Sequence, residues 1–308
     1  MTELRFDGQV AIITGAGGGL GRSHALELAR RGARVLVNDL GGAVDGTGTS
    51  TAASHVVNEI RQLGGLAVPN YDTVATPEGG RAIIQAALDR WGRVDVLVNN
   101  AGILRDKAFH KMTADMIDAV VDVHLKGALY VTQPAFAAMR EQGYGRIINT
   151  TSASGLFGNF GQANYGAVKA GLVGLTRVLA IEGAARGVKA NAIAPIASTR
   201  MTAELLGDLD ALVSPDKVSP LVAYLAHEDC AVSGNVYSVA GGRVARIFVA
   251  ESPGVVLDGF TAEAVRDNLA AINYVHGIGA HSRAFELPDS LADEVAIIGR
   301  AIMGDAAA

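Results

Sequence analysis

From Val10 onward, short apolar runs alternate with longer amphipathic segments, and this alternation constrains the fold more than any other feature of the chain. A strand buried on both faces reads as a short apolar run, and each parallel neighbour requires a crossover helix with one apolar stripe. The spacing predicts strands at about 10–14, 34–38, 66–70, 94–99, 145–151, 189–194 and 236–240, with helices at about 20–31, 50–63, 77–90, 113–140, 162–186 and 215–226. Thr76-Pro77-Glu78 supplies a helix start, and Gly32, Gly64 and Gly187 stand where helices should stop. The expected architecture is α/β: a Rossmann-like, doubly wound, parallel seven-stranded sheet with helices on both faces and a C-terminal extension. With 308 residues and 49% hydrophobic content, one large core is feasible. After Gly242 the rhythm changes: 243–251 alternates like a further strand, 261–273 reads as a helix, and Leu291, Val295, Ile298 and Ile302 are helically spaced. This divides the chain into a nucleotide-binding domain over 1–242 and an extension over 243–308. The extension is expected to pack on the core or between subunits, or to wall the substrate site.

Composition excludes several functions. The formal charge is −5 and no basic run stands out, so the electrostatic footprint of a nucleic-acid binder is missing. Cys230 is the only cysteine, which rules out an internal disulfide and fits a reducing compartment. Residues 1–9 carry charges, and nowhere do about eighteen apolar residues run together, so neither a signal peptide nor a membrane span is expected. A cytoplasmic location follows as the expectation, and 304–308 form no recognisable targeting address. The histidines are scattered, and no cluster of His, Cys and carboxylates has metal-ligand spacing, so no metal is expected.

The first strand runs into Thr14-Gly15-Ala16-Gly17-Gly18-Gly19-Leu20-Gly21, and a helix follows. Glycines here let backbone N–H groups approach a pyrophosphate at a helix N-terminus. The second strand ends in Val37-Asn38-Asp39, an acid roughly twenty residues past the glycines, suited to the hydroxyls of an adenosine ribose. Asp39 would repel the extra phosphate of NADP, and Gly18 offers no compensating cation, so NAD is the expected cofactor. Asn99-Asn100-Ala101-Gly102 ends the fourth strand where a doubly wound sheet lines its ligand crevice, and Asp72 follows the third in an equivalent place, where it could face the adenine. Farther on, Tyr165 and Lys169 stand four residues apart in a helical segment, on one face. A neighbouring ammonium favours a phenolate, which would tune Tyr165 for proton transfer near neutral pH.

With these three motifs in this order, the chain resembles the short-chain dehydrogenase/reductase family over about residues 6–242. The resemblance implies hydride transfer between a secondary alcohol and a nicotinamide, usually in homodimers or homotetramers. It implies Tyr165 as the proton acceptor, Lys169 as the residue that lowers its pKa and binds ribose, and Ser152 as the holder of the substrate oxygen, with Ser154 the nearby competitor. Gly15, Gly19, Leu20, Gly21, Asp39, Asp72, Asn99, Ala101, Gly102, Tyr165, Lys169, Pro195 and Thr199 become the expected cofactor contacts, Thr202 being an alternative to Thr199. His124 stands where many members carry an asparagine that holds a water near the lysine; it serves that relay or simply packs. Within the family, Asn38-Asp-Leu-Gly-Gly42, Asn70-Tyr-Asp72, Asp122-Val-His-Leu-Lys-Gly127 and Gly158-Asn-Phe-Gly-Gln-Ala-Asn-Tyr165 resemble the dehydrogenase units of the peroxisomal multifunctional enzymes type 2, also called 17β-hydroxysteroid dehydrogenases type 4. Those units oxidise (3R)-hydroxyacyl-CoA thioesters with NAD and accept steroid alcohols. The likeness makes a 3-hydroxyacyl-CoA the first expected substrate, a ring alcohol of a steroid the second, and a non-catalytic nucleotide-binding role the third. Residues 196–212 follow the sixth strand, and Met201 and Leu205, with Leu206 and Leu209, give that segment an apolar side for such a substrate.

Overall fold

The computed structural model describes residues 2–199, 212–248, 256–257, 259–273, 296 and 299. The expected substrate contacts Met201 and Leu205, the alternative Thr202, and nearly all of the last expected helix lie outside the described residues. Eight strands form one sheet in the order β3-β2-β1-β4-β5-β6-β7-β8. They are β1 (Val10–Thr14), β2 (Arg34–Asn38), β3 (Leu66–Asn70), β4 (Val96–Asn99), β5 (Gly145–Thr150), β6 (Val188–Pro195), β7 (Val236–Ala240) and β8 (Arg243–Ile247). The first seven are parallel, as the apolar runs require, and β8 pairs antiparallel with β7 through the tight turn at Gly241 and Gly242. The sheet therefore has one strand more than expected from the parallel pattern, because the start of the extension completes its edge. Pro69 lies in β3, at the opposite edge, where a missing N–H costs no interior ladder bond.

Helices α1 (Gly19–Arg30), α2 (Ala52–Gln62), α3 (Pro77–Trp91), α4 (Ala114–Val120), α5 (Gly127–Gln142), α6 (Ala153–Phe157), α7 (Ala163–Gly183) and α8 (Ser219–Ala226) cover the two faces. One core cluster joins Ile13, Val35 and Val98 to Leu28, Val56 and Val222; the other joins Ile12, Leu36 and Leu97 to Ile83, Val131 and Met139. Successive residues of β1 thus feed opposite faces, the alternation a doubly covered sheet demands. Truncating Ile12 or Ile13 to alanine would cost about 2–5 kcal/mol. Thr76 caps α3, its Oγ1 accepting the Gly79 N–H at 3.1 Å. Gly32, Gly64 and Gly187 take φ of +99°, +83° and +69°, so the expected helix stops hold.

Two helical expectations change. The single helix expected at 113–140 is interrupted at Val121–Lys126 by a π-helical stretch between α4 and α5. The wider turn inserts one residue into the ladder, and such stretches are frequent at functional sites. The short α6 lies in a segment expected to be loop; Ser152 starts it as N-cap, its Oγ accepting the Ser154 N–H at 3.2 Å. Among the described residues no helix is long and apolar enough to cross a membrane.

Candidate active site

The sheet order reverses between β1 and β4, and a cleft of about 230 Å³ opens there at the carboxyl ends of the strands. Gly15, Gly18, Gly19 and Leu20 form one wall. Gly15 has φ +63°, and a Cβ on it would lie 2.7 Å from the Ala101 Cα. Gly21 is excluded from bearing a side chain by packing instead, since its Cβ would meet the Gly15 carbonyl oxygen at 2.3 Å. Gly18 caps α1 with no side-chain bond, which leaves backbone N–H groups and the positive end of the helix dipole at the cleft wall.

At the far end of the cleft, Asp39 accepts the Gly17 N–H at 2.7 Å and the Gly41 N–H at 2.6 Å. Asp72 lines the same end, braced by Asn70 Nδ2, which donates to its Oδ2 at 2.8 Å. Asn38 Nδ2 donates to the Asp72 carbonyl, also at 2.8 Å. The long glycine-rich loop over 40–50 folds across this end: the Leu104 N–H donates to the Val44 carbonyl at 2.9 Å, and Arg105 Nε to that of Asp45 at 3.0 Å. Two carboxylates and no lysine or arginine stand among the described residues that line the cleft. Such a wall accepts hydrogen bonds from a ribose diol and opposes a phosphate monoester.

Beside the cleft, past Ala101 and Val123, lies a group of buried and half-buried side chains. Tyr165 lies in the first turn of α7, its N–H bonded to Asn164 Oδ1 at 2.8 Å. Asn164 Nδ2 in turn donates to the carbonyls of Arg105 and Met116, pinning the start of α7 to the segment after β4. Ser152 hydrogen-bonds the Tyr165 hydroxyl, whereas Ser154 is buried beneath α7 with its carbonyl oxygen 3.1 Å from where a Gly166 Cβ would sit. Lys169, 3% exposed, donates from Nζ to the Thr150 carbonyl at 2.5 Å, and Nζ lies 5.4 Å from the centroid of the Tyr165 ring.

Burial decides the electrostatics of this pair. It lowers the Lys169 ammonium to a pKa of about 7 and pushes the Tyr165 phenol up to about 12. The Ser152 hydrogen bond pulls the phenol down, and the charge of Asp106 adds to the rise, but desolvation dominates. In the protein by itself, burial thus outweighs any pull of the neighbouring Lys169 on the phenol.

His124 sits on the π-helical stretch, buried, edge-on to Tyr165 with ring centroids 5.2 Å apart. Gly102 makes room for it, since a Cβ there would lie 2.4 Å from His124 Cε1. Its Nε2 faces both the Ile103 N–H at 2.9 Å and the Ile103 carbonyl at 2.8 Å, and each tautomer serves one of the two. Nδ1 is buried without a hydrogen-bond partner. Burial first, and then the charge of Lys169, hold the imidazole well below its usual pKa, so the ring is neutral.

A sequence model of the short chain dehydrogenase family matches residues 9–210, well over half of the chain. The chain is a short-chain dehydrogenase. It is 54% identical over 252 residues to a short-chain type dehydrogenase/reductase of Mycobacterium tuberculosis, covering 81% of this chain and 88% of that one. Over 273 residues it is 49% identical to the peroxisomal multifunctional enzyme type 2 of Mus musculus, covering 87% of this chain but 37% of that enzyme. A solved 7α-hydroxysteroid dehydrogenase, complexed with NADH and 7-oxo glycochenodeoxycholic acid, superposes with a TM-score of 0.68 at 29% identity, covering 79% of this chain and 98% of the other.

In this short-chain dehydrogenase the cleft brings together Gly15, Gly19, Leu20, Asp39, Asp72, Ala101, Gly102 and Thr199 from the expected contacts. Asn99 is not among them; its Nδ2 donates to Thr132 Oγ1 on α5 and to Asn149 Oδ1 on β5, both at 2.8 Å. The next residue takes the place at the cleft: Asn100 lines it and donates to the carbonyls of Thr14 and Gly15, each at 3.0 Å. Strand alternation carries the signal, because adjacent asparagines at a strand end point opposite ways. Gly21 supports the turn from beneath, and Pro195 ends β6 opposite Val239, away from the cleft lining. Sequence reasoning also missed Asn164 and Gln162, whose amide groups tie the catalytic helix to Arg105 and Asp106. Both lie in the Gly158–Tyr165 motif, but their roles were hidden because their partners are 59 and 56 residues away.

Proposed function

We propose that this short-chain dehydrogenase uses NAD to interconvert 3-hydroxyacyl and 3-oxoacyl thioesters of CoA. The observation that carries the reading is the meeting of Ser152, Tyr165 and Lys169 beside a cleft that presents two carboxylates and no cation at its far end. Likeness to the multifunctional enzyme supports the substrate class, although the chain spans only 37% of that mouse relative. Gly15, Gly18 and Gly19 would hold the pyrophosphate of NAD, Asp39 the adenosine ribose, Asp72 the adenine side, and Lys169 the second ribose. Bound NAD supplies the acceptor for the hydride.

Ser152 donates a hydrogen bond to the substrate oxygen, and Tyr165 exchanges the proton with it. At neutral pH a phenol with a pKa near 12 is protonated, so it is poised to give its proton to a ketone oxygen. In the oxidising direction it must first lose that proton, so oxidation speeds up and reduction slows down as pH rises. Lys169, at about 7, is close enough to neutrality to pass protons in either direction. His124, neutral and edge-on to Tyr165, acts as a positioning residue whose ring holds the wall at Gly102 and Ile103.

A homodimer or homotetramer belongs to the same reading. Leu129, Val178 and Ile181 are exposed apolar residues on α5 and α7, available to a second copy. The expected cytoplasmic location rests on the single buried cysteine and the lack of a membrane-length apolar helix among the described residues, while several relatives carry peroxisomal names. The likeness to the 7α-hydroxysteroid dehydrogenase favours a second reading, oxidation of a steroid ring alcohol. Steady-state turnover of (3R)- and (3S)-hydroxyacyl-CoAs of several lengths and of steroid alcohols, each with NAD and NADP, tests both. Preference for a CoA thioester with NAD is expected; turnover of free steroids alone, or a clear NADP preference, would overturn the proposal.

A further inference from the structure

The segment that follows β4 carries a group of side chains that the chemistry above leaves unused. The Lys107 N–H donates to the Gly161 carbonyl at 2.8 Å, which fastens this segment to the turn leading into α7, four residues before Tyr165. Two phenylalanines flank that bond. Phe160 is 89% exposed in a turn framed by Gly158 and Gly161, both at positive φ, and Phe109 is 71% exposed on the short 3-10 turn Phe109–Lys111. Lys107, His110 and Lys111 are exposed beside them.

The two charged residues before Lys107 have other hydrogen-bond partners. Arg105 is paired with Asp115 at 3.6 Å and bonded to the Asp45 carbonyl, and Asp106 accepts from Gln162 Nε2 at 2.7 Å. No carboxylate among the described residues pairs with Lys107 or Lys111. In a chain of formal charge −5, two exposed aromatic rings and two lysines outside any ion pair among the described residues thus lie on two segments that the Lys107–Gly161 bond joins, next to the start of α7. Aromatic faces stack on a purine, and lysines meet phosphate as point charges.

We propose that Lys107, Lys111, Phe109 and Phe160 form the subsite for the 3′-phosphorylated adenine nucleotide of a CoA thioester. The inference rests on the acyl-CoA reading above and names where that substrate's handle is held. The thioester end reaches inward past Gly161 to Ser152 and Tyr165, while the phosphates stay at the solvent edge with the lysines. The aromatic rings cover the adenine, and His110 adds a donor.

The test presents one 3-oxoacyl group on three carriers, CoA, 3′-dephospho-CoA and pantetheine, and follows kcat and KM with NADH. It uses the wild type, the Lys107→Ala/Lys111→Ala variant and the Phe109→Ala/Phe160→Ala variant. Loss of two exposed charge contacts should raise KM for the CoA substrate about tenfold, less for the dephospho form, and not at all for pantetheine. Loss of stacking should raise KM about tenfold for both nucleotide carriers, with kcat unchanged throughout. Equal effects on all three carriers, or none on CoA, would overturn the subsite while leaving the acyl reading intact. No turnover of any thioester would sink the acyl reading and the subsite with it. Faster turnover of the same group on an acyl carrier protein, requiring the same lysines, would assign the surface to a protein and not to a nucleotide.

Discussion

At the glycine-lined end of the cleft stand bare backbone and two carboxylates, with Gly15 and Gly19 at positive φ and Asp39 set between two N–H groups. At the catalytic end, Tyr165, Lys169 and His124 are side chains whose chemistry comes from being out of water. The first kind of site depends on shape and tolerates no added atoms; the second depends on desolvation and tolerates no added water. A glycine substitution should therefore harm binding and folding, whereas Tyr165→Phe should harm rate while sparing both.

The largest expected effect on binding is at Gly21. In Gly21→Val the new side chain would press on the Gly15 carbonyl and on Asn100, so NAD affinity should fall by about a hundredfold or more and the melting temperature should drop. Calorimetric binding at wild-type affinity would break the claim that this end is governed by shape. Asp39→Ser comes next. Removing a carboxylate that orders Gly17 and Gly41 should weaken NAD about tenfold and narrow the gap to NADP, as read by the two dissociation constants.

The smallest effect is on stability, and it sharpens the comparison from the catalytic end. Lys169 has a folded pKa of about 7 against 10.5 for an open lysine, so between these values the unfolded chain binds the extra proton. Stability from this group must then rise as pH climbs from about 7 toward 10.5. Tyr165 acts oppositely at higher pH: its folded pKa of about 12 exceeds the open value of 10.0, so stability is lost as pH rises between them. Thermal melts of Lys169→Met across the lower window should show a flatter rise than the wild type. An unchanged slope would mean that burial does not set the lysine's charge.

The same division explains what could be read from residue order. Glycine spacing, the acid after β2 and the apolar runs are local signals, so the parallel sheet and the nucleotide end were legible to within a residue or two at most strands. Local reading also placed Tyr165 and Lys169 on one helix face. It failed where a property depends on distant packing. Burial, which holds the Tyr165 phenol above its ordinary pKa, has no local signature, and neither has the turn of the Asn99 amide toward Thr132 on α5 and Asn149 on β5. The π-helical stretch was also missed, since it depends on which ladder bonds widen and not on any motif. Asn164 lies in the Gly158–Tyr165 motif, but its tie from α7 to Arg105 and Met116 spans distances that no local pattern shows.

The most direct test of the account is a rapid-mixing measurement of NADH formation from a 3-hydroxyacyl-CoA and NAD, by the wild type and by Tyr165→Phe, with NAD binding checked in both. The wild type should form NADH at a rate that rises with pH, and Tyr165→Phe should bind NAD normally yet react about a thousandfold more slowly. Equal rates in the two proteins would contradict the assignment of the proton to Tyr165.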